Sequence, residues 1–186
     1  LAAVFYALER ARPGSVILAP TPWYLNHEEL ASLFVGDRML ADARRPKFFP
    51  VPTLEHGGRT TVASLKAAAE AARAQGLAVG GVLYCNPSNP LGTVLRREEW
   101  AAIADWLRVE NDLPVMLDEA FAEIVFSEDF ACSLLHAAPD MLDRTFLFRS
   151  GTKALGLAGE RLAAMVIPDA YLAAVTRLKL RAADRL

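Results

Sequence analysis

A surplus of charge of either sign is missing from this chain. Its 20 Lys and Arg are nearly balanced by 22 Asp and Glu, for a net charge of -2 at neutral pH. A basic face for nucleic acid is therefore not expected. Long apolar runs are missing too. Although 53% of the residues are hydrophobic, no stretch approaches the roughly 20 consecutive apolar residues that span a bilayer. No membrane association is expected, nothing reads as an export signal, and the expected location is cytoplasmic. Cysteine is scarce. Cys85 and Cys132 are the only two, and they read as reduced thiols rather than as a disulfide. His27, His56 and His136 have no metal-like spacing with them, so no metal site is expected.

What the chain does have is length and alternation. Its 186 residues suffice for one core of ordinary size. Residues 3–12 read as a helix stopped by Pro13-Gly14, and 16–19 as a short buried strand ending at Pro20. Asn26 reads as the cap of a helix running to about residue 34. Residues 36–60 read as irregular, with a strand at 48–51. Helices are expected over 61–74, over 96 or 97 to 109, and over 169–183. Strands are expected at 81–85, 114–117, 145–148 and 162–167. Arg177, Lys179 and Arg181 form a basic stripe on the last helix, read as a solvated face. Continuous apolar strands alternating with helices predict an α/β fold, a mostly parallel sheet covered on both faces. Ligands of such sheets bind beyond the carboxyl ends of the strands.

Four segments with chemical content fall at such ends. Pro20-Thr21-Pro22-Trp23-Tyr24-Leu25-Asn26-His27 follows the first strand. Asn86-Pro87-Ser88-Asn89-Pro90-Leu91-Gly92 follows the third, and Leu117-Asp118-Glu119-Ala120-Phe121 ends the next. The fourth is Ser150-Gly151-Thr152-Lys153, followed by Gly156-Leu157-Ala158-Gly159 and Arg161. A lysine in that setting can form a Schiff base with an aldehyde cofactor, and a hydroxyl and a guanidinium can grip a phosphate. Alone, the segment equally describes a surface lysine in a glycine-rich loop. Lys47, Lys66 and Lys179 lack the flanking hydroxyls.

In this order and spacing, from about Ala11 to Arg181, the segments resemble the fold-type I pyridoxal-phosphate enzymes of the class I/II aminotransferase group. The G-L-A-G-x-R stretch resembles the histidinol-phosphate aminotransferase and threonine-phosphate decarboxylase branch. The N-P-S-N-P-L-G-T stretch is similar to aminocyclopropane-carboxylate synthase. The resemblance implies the aspartate aminotransferase fold and pyridoxal 5′-phosphate (PLP) as cofactor. It implies Lys153 as the Schiff-base lysine and Asp118 as the partner of the pyridine nitrogen, with Glu119 and Glu123 as neighbouring carboxylates. Asn89 is implied as donor to the ring oxygen, with Asn86 the competing residue. Tyr24 is implied as the stacking ring, with Trp23 the alternative, and Ala120 packs on the other face. Ser150, Thr152 and Arg161 are implied as phosphate ligands. His27 is implied as the residue behind Asp118, and is otherwise a histidine in a first helical turn.

One position departs from the family. Aminotransferases of this type carry a tyrosine three residues after the aspartate, where this chain has Phe121. The resemblance further implies that residues 1–186 are the central part of the large PLP-binding domain. A preceding segment with the glycine-rich phosphate loop and a C-terminal small domain are expected outside it, and a homodimer is expected. The expected activity is an aminotransferase acting on a small amino acid. The alternatives are a lyase, decarboxylase or side-chain replacement and cyclisation enzyme of the same fold, or a PLP-fold regulatory module.

Overall fold

The computed structural model describes residues 1–32, 47–110, 112–128, 133–157, 159–160 and 162–183, with side chains as far as residue 178. Helix α1 spans Ala2–Ala11 and strand β1 Val16–Thr21. They are followed by α2 (Leu25–Ser32), β2 (Phe48–Pro52), α3 (Val62–Ala74), β3 (Val79–Cys85), α4 (Arg97–Val109) and β4 (Val115–Asp118). The chain continues through α5 (Leu134–Ala137), β5 (Thr145–Ser150), α6 (Gly151–Ala154), β6 (Ala163–Val166) and α7 (Asp169–Ala183).

Local chemistry explains several of these boundaries. Thr61 accepts from the backbone of Ser64 at 3.0 Å, and Ser64 Oγ receives the Thr61 N–H at 3.1 Å. This reciprocal cap starts α3. In α4 the apolar residues Trp100, Ile103, Ala104 and Leu107 recur at helical spacing, and all are buried, so that stripe faces the sheet. Gly80 is required by close approach, since a Cβ there would lie 1.9 Å from Ser15 Oγ.

The strands form one sheet in the order β2-β1-β3-β4-β5-β6. Pairing is parallel from β2 through β5 and antiparallel between β5 and β6. Strand residues alternate between two cores. Val16, Leu18, Val82, Tyr84, Val115 and Leu117 face α3 and α4. Ile17, Ala19, Leu83, Met116 and Phe146 face α1 and α7. The chain builds β2 to one side of β1 and β3 to the other, so the switch point of the sheet lies between β1 and β3. There a crevice is expected outside the strand ends.

The expected fold class is found, with three local differences. β6 is exposed at most positions and is not a covered strand, because it closes the described sheet as an edge. Asn26 lies inside α2 and donates its side-chain amide to Tyr24 at 3.0 Å; it does not cap the helix, which begins one residue earlier. β1 continues through Pro20, because its ladder with β3 ends at Leu18 while that with β2 runs on to Thr21. Of the expected helix from Asn26, the part beyond residue 32 lies outside the described residues. So do Cys132 and Arg161, and the side chains of Lys179 and Arg181.

Candidate active site

The carboxyl ends of β1, β3, β4 and β5 carry the four segments singled out from the sequence. Asp118 is the last residue of β4 and is buried. Both its oxygens are held. Oδ2 lies 2.8 Å from His27 Nε2, and Oδ1 accepts the backbone N–H of Ala120 at 3.0 Å. An ionised carboxylate only accepts, so His27 Nε2 carries the hydrogen. His27 is 1% exposed, and its Nδ1 is buried with no hydrogen-bond partner among the described residues. That side of the ring therefore suits a bare lone pair better than a second N–H. The contact joins residues 91 positions apart; it is made by tertiary structure alone.

Tyr24 is exposed, and its ring meets His27 edge-on at 5.3 Å between centroids. Trp23 is already engaged. Its Nε1 donates to Glu28 at 2.9 Å, and its ring packs edge-on against Phe48. Of the two aromatic candidates, Tyr24 has the free surface. Asn89 and His27 line one crevice with Ala19, Pro20, Leu83 and Cys85, at the switch point between β1 and β3. Asn86 is occupied elsewhere: Oδ1 receives the Leu95 N–H at 3.0 Å, and its own N–H reaches the Asp118 carbonyl at 2.9 Å. It shapes the turn and ties β3 to β4.

Ser150 ends β5 and caps α6, accepting the Thr152 N–H at 3.2 Å. Lys153 lies in that short helix and is exposed. Its Nζ sits 5.4 Å from the centre of the Phe121 ring, within cation–π range. The turn after Asp118 and the turn after β5 thus touch through Phe121 and Lys153. Among the described residues Lys153 is in no ion pair. The rival Lys47 is buried, with Nζ 2.5 Å from Glu9 and 3.0 Å from the Ser15 carbonyl. A cation so placed is structural. Lys66 is exposed on α3, away from the strand ends.

Two features went unread in the sequence. Cys85 stands opposite Asp118 in the sheet register and lines the crevice. Burial first, and the Asp118 charge second, push its thiol up to about 12, against an opposing backbone hydrogen bond from Asn89. It is neutral at physiological pH. Since the thiolate is the reactive form, Cys85 is expected to resist iodoacetamide at pH 8 in the folded protein and to react after unfolding. Peptide mapping of the labelled sites checks this. The second is Arg149, whose guanidinium lies 2.6 Å from Glu119 Oε2 and 2.7 Å from Glu123 Oε1. Burial pushes the Glu119 carboxyl above the usual range; a hydrogen bond from Ser133 and the charges of Arg149 and His136 oppose that. No sequence signal pointed to Arg149, since it lies in β5 and its partners follow β4, 26 and 30 positions away.

The sequence model of one family, Aminotransferase class I and II, matches residues 1–183. The chain belongs to the class I and II aminotransferases. The group implied by this family is pyridoxal 5′-phosphate. The chain is 32% identical over 175 residues to 1-aminocyclopropane-1-carboxylate synthase 5 of Oryza sativa, covering 90% of this chain and 31% of that protein. It is 40% identical over 89 residues to histidinol-phosphate aminotransferase of Staphylococcus epidermidis, covering 47% of this chain and 24% of that protein. Its fold matches the aromatic aminotransferase of Pyrococcus horikoshii with a TM-score of 0.76 at 23% identity, over 98% of this chain and 45% of that one. The chain spans about a third of the length of the curated relatives it matches over most of its own. The aminotransferase scaffold thus carries, at its strand ends, a buried carboxylate, an exposed tyrosine ring, an amide and a lysine that is in no ion pair among the described residues. That donor set fits a phosphorylated pyridine aldehyde. Among the described residues no helix is long and apolar enough to cross a membrane, and no group of side chains suits a metal ion.

Proposed function

We propose that this protein is a pyridoxal-phosphate-dependent aminotransferase acting on a small amino acid, with Lys153 as the residue that carries the cofactor. The observation that supports it most is the buried His27–Asp118 pair at 2.8 Å. A strand-end aspartate with one oxygen held by a backbone amide and the other by histidine is fixed in position. When bound, pyridoxal phosphate supplies an electron sink for negative charge at the substrate α-carbon. Asp118 would hold a proton on the pyridine nitrogen, with His27 orienting it. Tyr24 would cover one face of the ring and Ala120 the other. Asn89 would donate to the ring oxygen. Ser150, Thr152 and Arg161 would hold the phosphate dianion, for which a guanidinium fork is well shaped. Lys153 would carry the cofactor through its amine and would serve as the base that moves the α-proton.

The same reading makes residues 1–186 the central part of the large cofactor domain of a homodimer, with a preceding segment and a small C-terminal domain completing the substrate site. A second reading, a lyase or cyclising enzyme, is favoured by Phe121, which lacks the hydroxyl of the usual tyrosine, and by the likeness to aminocyclopropane-carboxylate synthases. Product analysis on the cofactor-loaded protein with a panel of amino acids decides between them. A 2-oxo acid formed in step with amination of an added 2-oxo acid supports transamination. Ammonia release or ring closure without amino transfer overturns it in favour of the second reading.

Phe121 gives a separate test. Its ring already meets the Lys153 ammonium, so position 121 faces the lysine. In Phe121→Tyr a hydroxyl is added that can donate to the cofactor ring oxygen and favour the deprotonated form. A hydrogen bond to a charged acceptor is worth about 1.5–3 kcal/mol, so the pH midpoint of the cofactor absorbance is expected to fall by roughly one to two units. An unchanged midpoint means that the hydroxyl does not reach the ring.

A further inference from the structure

We propose that Arg149 is a positioning residue that clamps the turn carrying Asp118, Ala120 and Phe121 to the turn carrying Ser150 and Lys153. This rests on the cofactor reading above and adds to it a residue that touches neither cofactor nor substrate. Beyond the last β4–β5 register pair, Asp118 with Phe148, the ladder is continued by one bond, from the Glu119 N–H to the Phe148 carbonyl at 2.9 Å. Past that point Arg149 takes over. One nitrogen of its fork lies 2.6 Å from Glu119 and the other 2.7 Å from Glu123. The two glutamates bracket Ala120 and Phe121. Arg149 itself immediately precedes Ser150 in the chain. A single planar cation thus reaches both ends of one turn from the start of the other, and its buried arm to Glu119 is the one that holds.

The two arms differ. The Glu119 side chain is 1% exposed, that of Glu123 62%. An exposed pair is screened and contributes little, whereas the buried carboxylate depends on its cation. The Glu119 contact is a charge contact without aligned hydrogen-bond geometry; its strength comes from burial. A lysine offers one point charge in place of a fork, so it can serve Glu119 but not both glutamates together.

The experiment uses the cofactor-loaded protein and four variants: Glu123→Gln, Arg149→Lys, Arg149→Gln, and the double variant Glu119→Gln with Arg149→Gln. The double variant leaves no buried charge unpaired, so it keeps the test open if Arg149→Gln fails to fold. The readouts are the PLP dissociation constant from absorbance titration, kcat and KM separately, and the thermal midpoint without cofactor. The double variant is expected to keep a midpoint close to wild type while kcat falls roughly 10- to 100-fold, since a misplacement near 1 Å can cost about 10²-fold. KM for the amino acid stays near wild type, and PLP binds several-fold more weakly. Arg149→Lys recovers part of kcat, and Glu123→Gln changes it little. A double variant that folds with wild-type PLP affinity and kcat overturns the clamp while leaving the cofactor reading intact. A loss of kcat no greater than the loss of thermal stability accounts for, with no rescue by lysine, also overturns it. Wild-type protein that takes up no PLP overturns the cofactor reading itself.

Discussion

Lys153→Ala is expected to abolish turnover and to leave the fold intact. The side chain is exposed and in no ion pair among the described residues, so its removal costs little stability. Its chemical loss is double. A positioned acid–base group supplies roughly 10²–10⁴-fold, and the same amine is also the covalent anchor of the cofactor. Each tenfold corresponds to about 1.4 kcal/mol of barrier, so the variant should fall to the limit of detection. Borohydride reduction with PLP present, followed by peptide mapping, checks the assignment independently of turnover. Label on the peptide containing Lys153 agrees with it. Label on Lys47 or Lys66 would require a different site, although the buried contact of Lys47 with Glu9 argues strongly against that residue.

Asp118→Ala is expected to lower turnover by several orders of magnitude while cofactor still binds. Both oxygens of this buried carboxylate are held, one by His27 and the other by the Ala120 amide. Removing one preorganised electrostatic group of this kind costs about 10²–10³-fold, and the loss of the proton on the pyridine nitrogen adds to that. The alanine variant also strands the buried His27 Nε2–H, at a cost of about 1–3 kcal/mol in stability. Asp118→Asn keeps the shape but only one of the two acceptors. Its amide NH2 faces a donor, either His27 Nε2–H or the Ala120 N–H, so a fall in thermal midpoint is expected there too, together with the collapse of turnover. Asp118→Glu is expected to retain part of the activity. Near-normal turnover in the asparagine variant would remove Asp118 from the proposed pairing.

Much of this was legible in the sequence because it rests on local chemistry. The alanine-rich run after Thr61 and the apolar spacing of Trp100, Ile103 and Leu107 mark α3 and α4 without reference to anything distant; that Thr61 caps α3 and is not its first residue emerged only from the structure. The strand-end motifs declare themselves by residue type. The preference for Asn89 over Asn86 is consistent with Asn86 spending its side chain on Leu95. Other features were not legible, because tertiary structure decides them. The exposure of β6 depends on what lies beside it, and its apolar residues 163–166 read as a covered strand. Asn26 is as good a cap by type as any residue, yet the helix starts at Leu25. The Arg149 contacts cross 26 and 30 positions, and no spacing rule pairs an arginine on one strand with glutamates after another. Asp118 and His27, 91 positions apart, were joined through resemblance; their adjacency follows only once β1 and β4 lie in the same sheet.

The order of strands also sets an order of events. From β1 the sheet extends through β3, β4 and β5 in the sequence in which the chain is synthesised, each new parallel strand adding beside the one before it. Asp118 and His27 are both synthesised by the end of β4, while Ser150 and Lys153 come only with β5 and the turn after it. A nascent chain that stops short of β5 therefore holds the aspartate and its histidine without the lysine, and in the cofactor role proposed for it that lysine follows the last of the parallel strands to be made.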